Sequence, residues 1–305
     1  MELGLKGRAA VITGGSKGIG RAIARGLAAE GVNLVLLARG KEQLDKTAEG
    51  IAKESGVEVL AVVADIANGE SLKAAAAAAK DRFGTIHIVV NNAGGPMRRM
   101  DRQITWPDTD WADDVNLKMI GMLRATQAFL PLMPHDGTGR IVNISGVAAT
   151  LIFGTALTHG LNNAAMNQVT GYLANDLAAD RITVNAVVPG LVGTEGREVW
   201  AENMSKQQGK AKAEFLADFC RRMGIISGRW ATMEDVAGTV VFLASDRGQY
   251  INGAQLVIDG GMSVNPRRRE GAVDESRPRH RTKRTGDKIA GATRTKRRAF
   301  LRKMG

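Results

Sequence analysis

The chain has 305 residues, with 42 lysines and arginines against 31 aspartates and glutamates, a formal charge of +11. Residues 266–305 carry 15 basic and 4 acidic side chains, which leaves 27 of each sign in residues 1–265. A basic excess points to nucleic acid when it covers a domain; here it belongs to an appendage, and the neutral body is excluded as an electrostatic nucleic-acid binder.

An apolar run at 8–13 predicts a first strand and the stretch 18–30 a first helix. Strand 33–38 and helix 41–55 follow, then strand 57–64 and helix 71–83, whose run of alanines at 74–79 reflects high helix propensity. Strand 86–91, helix 111–129, strand 139–145, helix 159–179 and strand 183–188 continue the alternation. Residues 194–229 interrupt it with a mostly helical excursion, as lids and substrate walls do. Helix 233–245 and strand 255–258 close the body. The strands are β-branched and apolar on both faces, as strands under two helix layers should be. The expected fold class is therefore α/β, a doubly wound parallel sheet of the Rossmann type, in one domain over residues 1–265. Residues 266–305 lose all periodicity, carry charges in blocks at 267–269 and 296–298, and are expected to be disordered.

One cysteine, Cys220, excludes a disulfide framework and a cysteine-based zinc site and fits a reducing cytoplasm. The four histidines, His87, His135, His159 and His280, show no ligand spacing, and no metal is expected. No apolar run approaches the roughly 20 residues of a membrane span, and no signal peptide opens the chain, so a cytoplasmic protein is expected.

Between the first strand and first helix lies Thr13-Gly14-Gly15-Ser16-Lys17-Gly18-Ile19-Gly20. Gly14 permits a tight turn, Gly18 lets the backbone approach a pyrophosphate, and Gly20 allows close helix–strand packing. The helix N-terminus adds free N–H groups and a positive dipole end, so the segment predicts a nucleotide site.

The spacing G-x-x-x-G-x-G resembles that of the short-chain dehydrogenase/reductase family, and further motifs extend the likeness. Asn91-Asn92-Ala93-Gly94 is similar to that family's N-N-A-G, and Asp65-Ile66 to the pair that reaches the adenine ring. Asn116, in Val115-Asn116-Leu117-Lys118, matches the helix asparagine of its catalytic tetrad. The segment 184–190, ending in Pro189-Gly190 with Thr194 beyond, resembles its V-N-x-V-x-P-G…T stretch. Phe242-Leu243-Ala244-Ser245-Asp246, Asn252-Gly253 and Asp259-Gly260-Gly261 resemble its C-terminal signature. The resemblance spans about residues 5–264. It implies an NAD(P)-dependent oxidoreductase for a carbonyl or alcohol, working as an oligomer, with Asp65, Ile66, Asn92, Ala93, Gly94, Pro189, Gly190 and Thr194 among its cofactor contacts. An acid at the end of the second strand would select NAD through the ribose 2′-hydroxyl. The strand ends Leu37-Ala38-Arg39 instead, and Arg39 with Lys17 can flank a 2′-phosphate, so NADP is expected over NAD.

At the catalytic centre the likeness breaks. The family uses a tyrosine, its pKa lowered by a lysine four residues later, with a serine on the preceding strand end. Here Tyr172 and Tyr250 are followed four residues later by Asp176 and Ala254, and no lysine lies between Lys118 and Lys206. Counting back from Pro189-Gly190 by the family's interval of thirty residues lands on His159, which puts Asn163 at the lysine position and Gly146, after Ser145, at the serine position. Of the tetrad only Asn116 is expected to remain. An imidazole, with an ordinary pKa near 6.5, can serve as general acid/base near neutrality without a lysine. Asn163 can keep a hydrogen bond to the nicotinamide ribose, and Ser145 can orient a substrate. The other reading is a non-catalytic dinucleotide-binding or structural subunit, partnered in a hetero-oligomer by an active paralogue.

The loop after Gly94 carries Arg98, Arg99 and Arg102, with Trp106 and Trp111 behind. It can receive an anionic small-molecule substrate or simply form a solvated face. Glu195, Glu198 and Trp200 open the excursion and can line a lid. The basic tail can be a solvated extension, superfluous coding sequence, or a non-specific anchor to nucleic acid or anionic lipid. Its near-lack of aromatics argues against specific nucleic-acid binding.

Overall fold

Seven parallel strands form one sheet: β1 (Ala9–Thr13), β2 (Asn33–Ala38), β3 (Val59–Val63), β4 (Ile88–Asn91), β5 (Arg140–Ile144), β6 (Thr183–Pro189) and β7 (Gln255–Ile258). Their spatial order is β3-β2-β1-β4-β5-β6-β7. The computed structural model describes residues 2–95, 103–154 and 156–266. The tail from residue 267 and the arginines Arg98, Arg99 and Arg102 lie outside the described residues.

Every strand expected from the apolar runs is present. Period-two alternation divides each central strand between two cores. Ala10 and Ile12 of β1 face α1 (Gly18–Ala29), α2 (Lys41–Ser55) and α9 (Met233–Ala244). Ala9 and Val11 face α3 (Gly69–Phe83), α5 (Gly121–Phe129) and α6 (Leu157–Asp176). All of β1, β4 and β5 is buried, which is why these segments show no polar face in the sequence. Fully burying each such Val, Leu or Ile side chain is worth roughly 1.5–3 kcal/mol. The chain reverses its winding between β1 and β4, so a crevice opens at the carboxyl ends of these two strands, the usual ligand position in doubly wound sheets.

One region differs from the sequence expectation. The helix expected over 111–129 is divided into α4 (Asp108–Val115), a π-helical segment (Asn116–Ile120) and α5. A β-carbon on Gly121 would lie 2.9 Å from Ile66 Cδ1, so α5 can pack this closely only with glycine there. The wider π turn changes the angular phase of the side chains between α4 and α5, and such turns are often found at functional sites. The excursion over 194–229 contains α7 (Glu195–Gln207) and α8 (Lys212–Arg222), which share a small aromatic core of their own. Trp200 meets Phe215 edge-on at 5.6 Å, and Phe219 meets Trp230 at 6.3 Å.

Candidate active site

The phosphate cradle follows from the glycines. Gly14 has φ +69° and Gly18 φ +56°, a region that L side chains disfavour. A β-carbon on Gly20 would sit 2.2 Å from the Gly14 carbonyl oxygen, so only glycine lets α1 begin so close to the end of β1. Asn92 ties this turn to β4: its backbone N–H donates to Thr13 Oγ1 at 3.0 Å, and its side-chain amide donates to the Thr13 carbonyl at 3.0 Å. The Ala93 N–H donates to the same Thr13 hydroxyl. Thr47 Oγ1 of α2 donates to the Ser16 carbonyl at 2.7 Å and fixes the turn from the other side.

α1 opens after Lys17 with no side-chain cap and no acid in its first turn, which leaves its N–H groups and positive end for an anion. Lys17, before Ile19, and Arg39, at the end of β2, are both exposed and make no ion pair among the described residues. Asp65 turns the chain after β3 by accepting the Ala67 N–H at 2.9 Å, and the buried Ile66 supports α5. On the opposite side of the crevice, Pro189 ends β6 and Gly190 passes so close to Asp259 that a β-carbon would lie 2.8 Å from its Cα. Thr194 opens α7 without capping it. The next residue, Glu195, forms an ion pair with Arg21 of α1 and lies over Gly18, with Oε2 3.9 Å from where a β-carbon would be.

Three of the residues expected to be catalytic, Ser145, His159 and Asn163, lie where α6 passes the end of β5. A β-carbon on Gly160 would lie 2.9 Å from the Ala148 carbonyl, so this glycine lets α6 press against the turn after Ser145 and Gly146. Gly146 faces Asn163: a β-carbon there would lie 3.1 Å from Asn163 Nδ2. Asn163 is fully buried, one helical turn after the half-buried His159 and on the same face of α6.

Sequence reasoning missed the neighbour that defines this cluster. Lys118 Nζ donates to Asn163 Oδ1 at 2.5 Å, and its methylenes run past Gly94 at 3.6–3.8 Å from a β-carbon built there. Because an ammonium only donates, this contact fixes the carboxamide with its oxygen toward Lys118 and its nitrogen toward Gly146. The Asn163 nitrogen is then buried with no partner, as is the Ser145 hydroxyl. Asn116 does not join the group: Arg124 Nη2 donates to its Oδ1 at 2.7 Å and Nη1 to its carbonyl at 3.3 Å. The side chain that the π-helical segment sends to Asn163 is thus that of Lys118, two residues further on.

The site is electropositive. Desolvation pulls the Lys118 ammonium down to about 8, partly opposed by the Asp114 carboxylate, which in turn takes a hydrogen bond from Asn162 at 3.4 Å. His159 is lowered to about 4, first by desolvation and then by the positive charges of Lys118 and Arg197. Arg197, near the start of α7, is exposed as a residue, yet desolvation lowers its pKa, and it makes no ion pair among the described residues. The expectation of an imidazole titrating near neutrality with no lysine beside it is therefore corrected. A lysine is present, brought from another helix, and burial beside two cations keeps His159 neutral at pH 7.

A dinucleotide fits these donors: the uncapped α1 terminus suits phosphates, and the orphaned Asn163 nitrogen suits a ribose hydroxyl. Among the described residues, no helix is long and apolar enough to cross a membrane, and no group of three or more His, Cys, Asp or Glu could hold a metal ion.

Comparison with known proteins agrees with the geometry. The family model described as enoyl-(acyl carrier protein) reductase matches residues 14–263. A 3-oxoacyl-[acyl-carrier-protein] reductase of Pseudomonas aeruginosa is 33% identical over 264 residues, covering 86% of this chain and 100% of its own. The crystal structure of L-sorbose reductase from Gluconobacter frateurii, complexed with NADPH and L-sorbose, superposes with a TM-score of 0.80 at 32% identity, covering 86% of this chain and 98% of its own. An NADPH-bound short-chain oxidoreductase of Pseudomonas aeruginosa, described as containing an atypical catalytic center, superposes with a TM-score of 0.76 at 26% identity, covering 83% of this chain and 96% of its own. The glycine turn, the sheet order and these matches together place the chain in the short-chain dehydrogenase/reductase family.

Proposed function

We propose that this protein is an NADP-dependent oxidoreductase that interconverts a carbonyl and an alcohol on a small substrate, with His159 in the position of the family's catalytic tyrosine. The observation that carries this reading is the convergence of His159, Asn163 and Lys118 beside a cradle built for a dinucleotide. The NADPH in two similar reductase structures supports the choice of cofactor, as do the unpaired Lys17 and Arg39, which would take the 2′-phosphate. When bound, the nicotinamide supplies or accepts the hydride.

The protein's own side chains do the rest. The α1 N-terminus binds the pyrophosphate, Asp65 and Ile66 border the adenine, and Asn163 donates from Nδ2 to the nicotinamide ribose. His159, held neutral, donates an N–H to the substrate oxygen and polarises the carbonyl, as a neutral imidazole can. The unpartnered Ser145 hydroxyl at the end of β5 would orient the substrate, and Arg197 would give the pocket a preference for substrates bearing an anionic group.

The test is a fluorescence titration with NADPH and NADH, run beside turnover of ethyl acetoacetate, L-sorbose and levodione. NADPH should bind more tightly than NADH, and Arg39→Ala should remove most of the difference. His159→Ala should lower turnover about 10²–10³-fold, the usual cost of removing one hydrogen-bond donor to the developing oxyanion. Binding without turnover of any carbonyl would instead favour a non-catalytic subunit working with an active paralogue. Failure to bind either dinucleotide would sink the oxidoreductase reading and the cofactor assignment together.

A further inference from the structure

We infer that Lys118 is the proton source of this catalytic centre, delivered from the π-helical segment facing α6 rather than from α6 itself. The inference rests on the oxidoreductase reading above and adds to it the origin of the proton.

Three observations support it. The ammonium is anchored on Asn163 at 2.5 Å, one helical turn from His159, with its stem passing Gly94 at the crevice. The asparagine that motif matching selects on this helix, Asn116, is instead hydrogen-bonded by Arg124. The π-helical segment sets the rotation that aims Lys118 at α6, while Leu117 of the same segment packs against the core and none of its residues is fully buried.

The groups facing Lys118 decide its protonation. Asp114 favours the ammonium from the end of α4, while His159 on α6 and Arg197 on α7 add no negative charge. Desolvation leaves the amine titrating at about 8, so at neutral pH it is mostly charged but is a far stronger acid than an ordinary lysine. His159 carries no extra proton at that pH and cannot be the net donor. In the reducing direction the substrate carbon gains the hydride and the C=O π pair moves to oxygen. The oxygen then takes a proton as an N–H bond of Lys118 breaks, leaving its electron pair on Nζ. Water returns the proton to the amine. Alcohol oxidation runs the same steps backward, with the neutral amine as acceptor.

The experiment compares the wild-type protein with Lys118→Met and Lys118→Arg. NADPH affinity, read by fluorescence, should change less than about three-fold in both, because no phosphate contact is altered. Turnover with whichever of the three carbonyls the wild type reduces should fall by about 10²–10⁴ in Lys118→Met. The wild-type kcat should decline above about pH 8, and Lys118→Arg should lack that decline, because guanidinium does not titrate there. Independently of turnover, NMR of 13C/15N-lysine protein should show one amine titrating near 8 that is missing from Lys118→Met. Full activity and an unchanged alkaline limb in Lys118→Met would overturn the inference while leaving the oxidoreductase reading intact. If the wild type reduces no carbonyl, the oxidoreductase reading falls and the proton-source role of Lys118 falls with it. An amine near the ordinary lysine value overturns its role as a poised acid.

Discussion

Replacing Lys118 by methionine should make the protein more stable while disabling it. In the folded state desolvation lowers the ammonium from the ordinary 10.5 to about 8. At 1.36 kcal/mol per pKa unit, keeping it charged at pH 7 costs the fold about 3 kcal/mol. Methionine fills a similar volume without that charge. It gives up the hydrogen bond to Asn163 Oδ1 and leaves that buried oxygen unpaired, a loss of about 1–2 kcal/mol. The net expectation is a gain of about 1–2 kcal/mol at pH 7, which for a body of this size raises Tm by about 2–4 °C per kcal/mol. The pH dependence gives a second check. Between about 8 and 10.5 the unfolded lysine still holds its proton while the folded one has lost it, so wild-type stability rises with pH through that window. The variant lacks this rise. Urea denaturation at pH 7 and at pH 9.5, at fixed protein concentration, measures both quantities. A Lys118→Met protein less stable than wild type at pH 7, or one with the same rise toward pH 9.5, would refute the argument that this ammonium is desolvated at a cost.

Three further outcomes are expected. His159, lowered to about 4, takes up its proton in the unfolded chain near 6.5 before the folded protein does, so the stability it confers is complete above 6.5 and is lost as pH falls toward 4, up to about 3 kcal/mol. His159→Gln should flatten the stability profile over that range, and an imidazole Cε1 proton that titrates near 6.5 in wild type and is missing from His159→Gln would contradict it. Glu195→Gln removes a carboxylate that lies over Gly18 at the α1 N-terminus, where the phosphates belong, and should tighten NADPH binding about two- to five-fold at low salt; weaker binding would count against that placement. Asn163→Lys sets a second ammonium against Lys118 and should destabilise the fold by about 2 kcal/mol or more, with Lys118→Asn in the same chain restoring most of the loss. Additive effects in the double variant would show that the two positions do not touch.

Much of the cradle was legible because its causes are local. The glycines at 14, 18 and 20 answer to backbone geometry within eight residues, and the strands announce themselves because both faces of β1, β4 and β5 are buried. That neither Tyr172 nor Tyr250 has a lysine four residues later was equally plain, since it depends only on which residues stand four apart. Lys118 was visible too, two residues after Asn116, but nothing in a motif distinguishes the residue that reaches α6 from the one that turns back to Arg124. That distinction depends on the phase of a π turn, and a helix read with a period of 3.6 assigns it wrongly.

The amino-acid sequence by itself therefore determined the doubly wound sheet and the glycine turn between β1 and α1, because periodicity and turn chemistry are properties of neighbouring residues. Only the tertiary structure decided which side chain meets Asn163. Lys118 and Asn163 are 45 residues apart and meet at 2.5 Å because α6 and the π-helical segment pack together. The charge state of His159 follows from that meeting, since desolvation and two nearby cations, not the residue type, place its pKa at about 4.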